Sequence, residues 1–569
     1  MNQIFSLKIG GGAGQGIKSA GLLFSKFASL SGYYIYNYIE YPSLIRGGHN
    51  VMQINISGKE VTGPSSKTDF LVALNQETLD KHTNELTEKS GILFDVDEKI
   101  ATADIPKNTK LFKIPLSNLA GEKNILSNTV ALGALVAIFG GDFKILKELI
   151  SKEYEKDETV KDNLKAAEVG YTYITENYPR QTTSLLKFVE TAPKVVLNGN
   201  EAVALGAISA GLKFAAIYPM SPISGILHFL TAHQKEHNYI YKQPEDEISA
   251  INMAIGASFA GARSMVATSG GGFCLMTEGY GLAGMTETPV VIINGMRGAP
   301  ATGIPTWSEQ SDLQFVLNAH QGDFPRIVLA AGDAQEAFDL TREAFNLADK
   351  YQTPVVVLID KNICDNDQSF LPFENSPYTL DRGKFTTEKV GNYKRYELSK
   401  DGISTRTVPG SGNFFIANSD EHNELGFSSE EIENRNNQME KRMEKLSTCA
   451  KNDMPAPKLF GPVNADTTIV SWGSNKGSII QALKKFDNVS YLHITWMNPF
   501  PTEQVKKVLA SARYVVNIEC NYSGQLANLI REKTGIEIKD KLLKYDGRPF
   551  FVEEIITKIN KVLKDLKND

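Results

Sequence analysis

The sequence predicts a multi-domain α/β protein with parallel sheets. Its 569 residues suffice for roughly three to four domains of about 150 residues each. Short apolar runs typical of strands alternate with segments of helical periodicity, which is the pattern of a doubly wound sheet. Glycine-rich turns stand between several of these strands and the helices that follow them.

Composition excludes several classes of function. The net charge of −6 and pI of about 5.9 leave no basic surplus, so neither nucleic acid nor an anionic membrane is predicted as a partner. No apolar run approaches the roughly 18 residues of a spanning helix, and no signal peptide is evident. The four cysteines are scattered without a C-x-x-C pair, which predicts neither a zinc site nor a cysteine-bound cluster on this chain. A reducing cytoplasm fits such free thiols.

The first segment opens with a predicted strand, Ile4 to Ile9, and a predicted helix, Ile17 to Leu30. The loop between them offers backbone N–H groups and a helix N-terminus to an anion through Gly12, Gly14 and Gly16. The glycine spacing fits neither the dinucleotide fingerprint nor a Walker loop. The loop is therefore interpreted as a Rossmann-like phosphate loop, or else as a tight turn only. Further strands and a buried helix follow, and a linker near residues 177–184 ends the predicted domain.

The second domain is organised around the stretch Tyr218-Pro219-Met220-Ser221-Pro222. The preceding residues, Phe214 to Ile217, form a predicted buried strand. Two prolines three positions apart exclude helix and central strand, so the chain must leave the sheet in a stiff loop that carries the Ser221 hydroxyl. Such a loop at the carboxyl end of a strand is where open α/β sheets bind ligands, although an ordinary proline-rich turn would have the same sequence.

Glu247 is predicted to be a buried carboxylate. It ends the acidic run Glu245-Asp246-Glu247 and adjoins a helix rich in alanine and glycine, Ile248 to Ala262, which should pack closely. Its two acidic neighbours are predicted to cap that helix and to keep its first turn solvated. After the next strand, Met265 to Thr268, the run Ser269-Gly270-Gly271-Gly272 is predicted to be a second glycine loop.

Arg297 follows a third buried strand, Val290 to Asn294, in a loop rich in glycine and proline. A guanidinium just past a strand end is well placed to bind a carboxylate by two hydrogen bonds, and an exposed arginine of a long loop is the alternative. Further strands and a helix, up to Asp360, complete a doubly wound parallel sheet. Residues 366–463 are predicted to be a connecting arm, and residues 464–569 a smaller α/β domain of three βα units in which nothing demands chemistry.

Three loops together carry a resemblance to a known family. They are Tyr218-Pro219-Met220-Ser221-Pro222, Glu245-Asp246-Glu247 and Met296-Arg297-Gly298-Ala299-Pro300-Ala301-Thr302-Gly303. With them the sequence resembles the alpha subunit of the 2-oxoacid:ferredoxin oxidoreductases, in the form with a fused N-terminal gamma domain, and within that family the 2-oxoglutarate synthase branch. Gly12-Ala13-Gly14-Gln15-Gly16 and Asn521-Tyr522-Ser523-Gly524-Gln525 extend the resemblance over nearly the whole chain.

The resemblance implies a domain plan and a set of site residues. Residues 1–185 would be a Rossmann-like gamma-type domain, 195–365 a thiamine-diphosphate pyrimidine-binding domain, and 464–569 a transketolase C-terminal-like domain. Glu247 would bind the cofactor's pyrimidine and act in catalysis, with Ser269 and Gly270 on the thiamine side. The substrate would be bound by Ser221, Arg297, Tyr218 and Pro219, and the loop of Gly12, Gly14 and Gly16 would form part of the coenzyme A environment.

The resemblance also implies partners and a reaction. Thiamine diphosphate would be shared with a beta subunit, because this chain lacks the Gly-Asp-Gly signature for diphosphate and Mg²⁺ and lacks cluster cysteines. Mg²⁺ and a [4Fe–4S] cluster are expected on that subunit only, in an (alpha-beta)2 cytoplasmic assembly with no metal on this chain. The expected reaction is oxidative decarboxylation of 2-oxoglutarate with coenzyme A to succinyl-CoA and CO₂, with ferredoxin reduced through the beta subunit.

Three alternatives remain at the level of sequence. The same chemistry could act on pyruvate, a branched-chain 2-oxoacid or indolepyruvate. The chain could instead be a non-catalytic subunit that binds a nucleotide. An NAD-dependent dehydrogenase would rest on the first glycine loop and on Glu40, but the glycine spacing argues against it.

Overall fold

Three β-sheets organise the chain, which the computed structural model describes at residues 3–42, 47–98, 105–373 and 378–568. The strands are β1 (Phe5–Gly12), β2 (Tyr34–Glu40), β3 (His49–Ser57), β4 (Thr68–Ala73), β5 (Leu86–Asp95), β6 (Lys110–Ile114), β7 (Val195–Leu197), β8 (Phe214–Ala216), β9 (Ile240–Lys242), β10 (Ser264–Thr268), β11 (Val290–Met296), β12 (Ile327–Ala330), β13 (Pro354–Asp360), β14 (Gln368–Phe370), β15 (Lys458–Phe460), β16 (Thr467–Trp472), β17 (Val489–Ile494), β18 (Trp496–Asn498), β19 (Tyr514–Glu519) and β20 (Asp540–Leu543).

The α-helices cover the faces of these sheets. They are α1 (Ile17–Leu30), α2 (Gln76–His82), α3 (Leu116–Ala120), α4 (Ser127–Ile138), α5 (Phe143–Glu153), α6 (Asp157–Asn177), α7 (Gly199–Ser209), α8 (Ser224–His237), α9 (Glu247–Phe259), α10 (Gly270–Met285), α11 (Leu313–Asn318), α12 (Ala334–Tyr351), α13 (Lys361–Asp365), α14 (Ile432–Asn452), α15 (Asn475–Leu483), α16 (Thr502–Ser511), α17 (Gln525–Thr534) and α18 (Val552–Asn568). None of the helices in the described part of the chain combines the length and hydrophobicity that a membrane crossing requires.

Two units emerge from the packing of the backbone. The first contains Met1–Leu197, Asn366–Glu374 and Phe551–Thr557, and the second contains Asn198–Asp365, Asn375–Phe550 and Lys558–Asp569. The predicted division into a gamma-type domain, a pyrimidine-binding domain, an arm and a C-terminal domain remains a prediction.

The first unit is built on an eight-stranded mixed sheet in the order β6-β5-β4-β1-β3-β2-β14-β7. Strand β1 is parallel to β4 but antiparallel to β3, so only one half of this sheet has the parallel, Rossmann-like arrangement. Helix α1 begins and ends where predicted, because its apolar periodicity seats Phe24 and Phe27 in the core.

The first glycine run is partly strand, which corrects the predicted loop from Gly10 to Gly16. Gly10 to Gly12 belong to β1 and pair with β3. A Cβ at Gly10 would lie 2.5 Å from Thr78 Cγ2, so close packing against this strand requires glycine. Only the four residues from 13 to 16 form the turn, and Gly16 ends it with a left-handed φ of 68° before α1.

The second unit contains the predicted doubly wound sheet. Its order is β18-β12-β13-β11-β10-β8-β9, and all neighbours are parallel except β18, which pairs antiparallel with β12. Helices α9 and α10 pack on this sheet through small side chains and through Ile251, Phe273 and Met276. The prediction of a parallel sheet is confirmed for this part of the chain.

The second unit also contains a five-stranded sheet in the order β15-β17-β16-β19-β20. Strands β16, β17, β19 and β20 are parallel, and β15 is antiparallel to β17. The three predicted βα units of the C-terminal region are therefore confirmed.

Candidate active site

The predicted site residues of the second unit meet at one edge of its parallel sheet. Register places Thr268 at the end of β10 beside Asn294 of β11, and Ala216 at the end of β8 beside Val266. Since the carboxyl ends of these parallel strands face the same way, the loops after β8 and β11 and the first turns of α9 and α10 share this edge.

Glu247 is the first residue of α9 and is buried, with 3% of its surface exposed. Asp246 is the N-cap, because its side chain accepts a hydrogen bond of 2.7 Å from the Ser249 amide. This confirms the capping interpretation of Asp246. In contrast, the Oε1 atom of Glu247 is buried and has no hydrogen-bond partner among the described residues. Such an atom is costly to bury unless a ligand or a proton satisfies it.

Gly272 forms the wall against which the Glu247 carboxyl rests. A Cβ at this position would lie 2.5 Å from Glu247 Oε1 and 2.0 Å from Thr268 Oγ1. The prediction of a second glycine loop is wrong, because Gly270 to Gly272 form the first turn of α10. Glycine occurs here because neighbouring side chains occupy the space of a Cβ.

Ser269 and Gly270 stand at the start of α10. Ser269 has the extended backbone of an N-cap, yet its side chain makes no capping bond, and its buried Oγ has no hydrogen-bond partner within the described ranges. A Cβ at Gly270 would lie 2.5 Å from the Asp312 carboxylate. The turn therefore presents a free hydroxyl to the same edge as Glu247.

Arg297 contacts the proline loop directly. Its Nη1 donates a 2.7 Å hydrogen bond to the main-chain oxygen of Ser221, so the two predicted residues meet through the Ser221 carbonyl rather than its hydroxyl. The guanidinium is half-buried, which lowers the pKa of Arg297, while Asp312 raises it. Within the described residues no carboxylate lies within 4 Å of Arg297. Its remaining N–H groups are thus available to an anion.

Tyr218 and Pro219 occupy the same loop. Tyr218 is partly buried, whereas Pro219 is exposed. The peptide bond between Ser221 and Pro222 is cis. Asn200, at the start of α7, donates a 2.9 Å hydrogen bond to the Pro222 carbonyl and so fixes the end of the loop. A substrate role for Tyr218 and Pro219 remains a prediction.

Asp312 is a site residue that sequence reasoning missed. It is 6% exposed and accepts hydrogen bonds from Asn294 Nδ2 at 3.1 Å and from Ser311 Oγ at 2.9 Å. Burial raises the pKa of Asp312, although Asn294, Ser311 and Arg297 act in the opposite direction. No motif marks it, since it lies 15 positions beyond Arg297 in an irregular segment.

The glycine turn of the first unit borders a separate cavity of about 220 Å³. Gly14 and Gln15 line it together with Asp95 and Glu98. The Gly12 amide is occupied, because it donates a 2.6 Å hydrogen bond to Gln15 Oε1. The carboxylates beside the turn make this side of the cavity unfavourable for a phosphate group. A role of Gly12, Gly14 and Gly16 in binding coenzyme A remains a prediction.

Comparison with protein families covers most of the chain. Residues 205–441 match the model described as "Pyruvate flavodoxin/ferredoxin oxidoreductase, thiamine diP-bdg". Residues 6–173 match "Pyruvate ferredoxin/flavodoxin oxidoreductase", and residues 465–555 match "Pyruvate:ferredoxin oxidoreductase core domain II". The fold and its site thus define an oxidoreductase with a thiamine-diphosphate-binding domain.

Individual relatives extend over the whole chain. A 2-oxoacid:ferredoxin oxidoreductase subunit alpha from Sulfolobus sp is 35% identical over 98% of this chain and 96% of its own. The 2-oxoglutarate oxidoreductase subunit KorA of Mycobacterium tuberculosis is 28% identical over 96% and 90%. The solved 2-oxoglutarate:ferredoxin oxidoreductase of Magnetococcus marinus, with 2-oxoglutarate, coenzyme A and succinyl-CoA bound, superposes with a TM-score of 0.92 at 30% identity, over 99% of this chain and 100% of that one. The chain belongs to the 2-oxoacid:ferredoxin oxidoreductase family, among its alpha subunits.

The candidate active site fits the pyrimidine end of thiamine diphosphate. Two buried polar atoms, Glu247 Oε1 and Ser269 Oγ, lack hydrogen-bond partners in the described structure. Because Gly272 has no Cβ, the carboxyl can lie directly against the first turn of α10. A pyrimidine ring nitrogen that shares one proton with the Glu247 carboxyl would satisfy Oε1 at the place where the protein leaves it unsatisfied.

Proposed function

We propose that the chain is the alpha subunit of an enzyme that converts 2-oxoglutarate and coenzyme A to succinyl-CoA and CO₂, with two electrons passed to ferredoxin. The observation that carries this proposal is the buried, unpartnered Glu247 carboxyl at the same sheet edge as the available Arg297 guanidinium. Two of the relatives are named for 2-oxoglutarate, which supports this substrate over other 2-oxoacids.

Glu247 is the proposed catalytic carboxylate. Bound thiamine diphosphate supplies the carbon nucleophile and the electron sink that decarboxylation of a 2-oxoacid requires. Glu247 would hold a hydrogen bond to the pyrimidine ring and exchange a proton at Oε1. Its burial against Gly272 excludes water, and proton transfer by such a positioned group contributes about 10²–10⁴-fold to rate. Ser269 and Gly270 would line the thiamine side.

Arg297 is the proposed site for the substrate carboxylate. Its bond to the Ser221 carbonyl fixes the guanidinium against the proline loop and leaves other N–H groups for the substrate. A charge-assisted hydrogen bond contributes about 1.5–3 kcal/mol, or roughly tenfold or more in affinity. The Ser221 hydroxyl, Tyr218 and Pro219 would form the rest of the site for the substrate carboxylate.

The turn of Gly12, Gly14 and Gly16 is proposed to be part of the coenzyme A environment. Because Asp95 and Glu98 line the adjoining cavity, an uncharged portion of coenzyme A would lie beside the turn, with its phosphates elsewhere. Hydroxyl and amide groups can donate to the exposed Glu98 carboxylate, whereas the Asp95 carboxylate already accepts four hydrogen bonds from the protein; phosphates would be repelled by both.

A beta subunit is the proposed partner, and it would cover the exposed face of α9 and α10. We call this the α9–α10 face; it is defined by four large apolar side chains that are 37–49% exposed, namely Ile248, Met253, Phe259 and Leu275. Apart from Glu247, these two helices carry a single charged residue, Glu278. An apolar face of this kind is typical of an interface. It begins at Glu247, so a partner seated on it would close the active site.

This assembly accounts for the groups that the chain is not proposed to bind. Mg²⁺, the cofactor diphosphate and a [4Fe–4S] cluster would be held by the beta subunit, from which ferredoxin takes the electrons. The proposed assembly is (alpha-beta)2 in the cytoplasm. Relatives named subunit alpha support the existence of a second polypeptide.

The test uses the complex of this chain with its beta subunit, purified anaerobically. Reduction of viologen that requires coenzyme A and thiamine diphosphate is followed with 2-oxoglutarate, pyruvate, 2-oxoisovalerate and indolepyruvate. We expect the highest kcat/KM with 2-oxoglutarate, and a higher value with another acid would reassign the substrate. Glu247→Gln should lower kcat by about 10²-fold or more, whereas the matched variant Glu245→Gln, at an exposed site, should not.

A non-catalytic subunit is the alternative from another class. It predicts full activity of the assembled complex with both Glu247→Gln and Arg297→Ala. That result, in a complex shown to contain cofactor and cluster, would remove the proposed catalytic role.

A further inference from the structure

We propose that Asp312 acts through Arg297 to set the enzyme's affinity for the substrate carboxylate, and that the C-terminal five-stranded domain holds Asp312 in place. This inference rests on the proposed function, in which Arg297 binds that carboxylate. Asp312 is a positioning residue in this scheme, because it acts on the substrate through the charge and position of Arg297.

Three contacts connect Asp312 with the Arg297 loop. The Ser311 hydroxyl lies 2.9 Å from Asp312 Oδ1 and 3.1 Å from the Arg297 carbonyl oxygen, so these two acceptors share its single proton. Asn294 of β11, three residues before Arg297, donates to Asp312 Oδ2 at 3.1 Å. The carboxylate is therefore fixed near the guanidinium but outside ion-pair distance.

Gln310 attaches this segment to the C-terminal domain. Its side chain is fully buried; Nε2 donates to the Trp472 carbonyl at 2.9 Å, and Oε1 accepts from the Cys520 amide and from Asn475 Nδ2, each at 2.8 Å. A Cβ at Gly473 would lie 2.3 Å from Gln310 Nε2, so the glycine makes room for this side chain.

The turn between β19 and α17, together with the first residue of α17, binds backbone groups of residues 310–314. Asn521 Nδ2 donates to the Gln310 carbonyl at 3.1 Å, and Gln525 Nε2 donates to the Ser311 carbonyl at 2.8 Å. Gln525 Oε1 accepts from the Gln314 amide at 2.9 Å. One side of the segment thus binds the C-terminal domain, while Ser311 and Asp312 turn toward the active site.

The charges around Asp312 determine whether it strengthens or weakens binding of the substrate carboxylate. The charged and titratable groups that interact with it are Arg297, Glu309 and Cys274. An ionised Asp312 attracts the guanidinium and repels a substrate carboxylate bound there, whereas a protonated Asp312 does neither. Because burial raises the pKa of Asp312, the change should occur above the ordinary range of an aspartate. KM for the 2-oxoacid should therefore rise with pH.

Asp312→Asn in the alpha–beta complex is the variant that tests this. Asparagine can accept from Asn294 and donate to Ser311, whose hydroxyl can still donate to the Arg297 carbonyl. We expect KM for 2-oxoglutarate to fall about three- to tenfold at a pH where the wild-type aspartate is ionised. We expect kcat to stay within about twofold, and the rise of KM with pH to disappear. Glu503→Gln, which removes one exposed charge from α16, is the matched control and should leave KM unchanged.

Two results would overturn the inference. One is an unchanged KM and an unchanged pH dependence of KM in Asp312→Asn. The other is loss of that pH dependence in Glu309→Gln but not in Asp312→Asn, since burial also raises the pKa of Glu309. If Asp312→Asn does not assemble, a wild-type KM that stays constant or falls as pH rises contradicts the inference by itself.

Arg297→Ala separates this inference from the proposed function. A large increase in KM with Arg297→Ala, together with no effect of Asp312→Asn, would leave the proposed function intact and reject the role of Asp312. No effect of Arg297→Ala would reject the proposed carboxylate site and, with it, this inference.

Discussion

Buried carboxylates have two distinct environments in this chain. Glu247 leaves one oxygen without a partner at the sheet edge. Glu287 is equally buried, but its two oxygens lie 2.6 Å from the ammonium groups of Lys441 and Lys445 on α14. Although burial alone would raise the pKa of Glu287, these two lysines hold it below its ordinary value. An unsatisfied carboxylate indicates a binding site, whereas an enclosed one indicates a structural role.

Glu287→Gln should destabilise the second unit. Removing the carboxylate leaves two buried lysines without their counter-charge, which costs about 3–5 kcal/mol, or roughly 6–20 °C in the calorimetric midpoint. The surface pair of Arg531 and Glu537 provides the control, since Glu537→Gln should change the midpoint by about 2 °C or less. Because the folded pKa of Glu287 is depressed, the difference between wild type and Glu287→Gln should shrink as pH falls below about 4.3. Equal midpoints at neutral pH would contradict a structural role of this cluster.

Elements that depend on local periodicity could be predicted from the sequence, and elements that depend on tertiary contact could not. Helix α1 was predictable to the residue because its apolar positions repeat with helical spacing. The glycine runs from Gly10 and from Gly270 were interpreted as loops, but they are a strand end and a first helical turn. Side chains distant in sequence fill the space of a Cβ at Gly10, Gly270 and Gly272, and no local pattern reports that.

The same distinction applies to the active site. Glu247 and Arg297 were predictable because they adjoin recognisable strands, helices and loops. Asp312 was not, since its position depends on Gln310 and on the turn at Asn521, about 210 residues further along the chain. Contacts over that separation leave no periodicity in a single sequence.

Gly272→Ala tests whether the first turn of α10 positions Glu247. A methyl group here would displace the Glu247 carboxyl and the Thr268 hydroxyl, so kcat should fall about tenfold or more. Gly271→Ala is a stringent control, because a Cβ at Gly271 has no atom within 4 Å in the described structure. Alanine favours helix over glycine by about 1 kcal/mol, so Gly271→Ala should keep its activity and equal or exceed wild type in thermal stability. Equal activities of the two variants would show that this turn does not position the carboxyl.

At the scale of the whole molecule, the α9–α10 face combines exposed apolar side chains with few charges. Helix α14, in contrast, carries many lysine, arginine and glutamate residues. Gly256 is an open position on α9, so a partner backbone could approach closely there. This combination favours a permanent partner rather than solvent.

Leu275→Glu should weaken assembly with the beta subunit. A carboxylate placed at an interface without a partner charge weakens association by at least about tenfold. Gel filtration of the co-expressed subunits measures the fraction of this chain in the complex. Val463→Glu replaces another exposed apolar residue of the second unit, 75% exposed, and should assemble normally. Normal assembly of Leu275→Glu would move the beta subunit to another surface.

The buried Gln310 side chain has a consequence for chimeric enzymes. A C-terminal domain transplanted from a relative would bring its own counterparts of Trp472, Asn475 and Cys520, and these must match a glutamine carried by the recipient. An exchange made at residue 464, where the predicted connecting arm ends, would therefore separate Gln310 from these partners. A functional hybrid has to carry the short segment from 308 to 314 along with the domain, as one inherited piece.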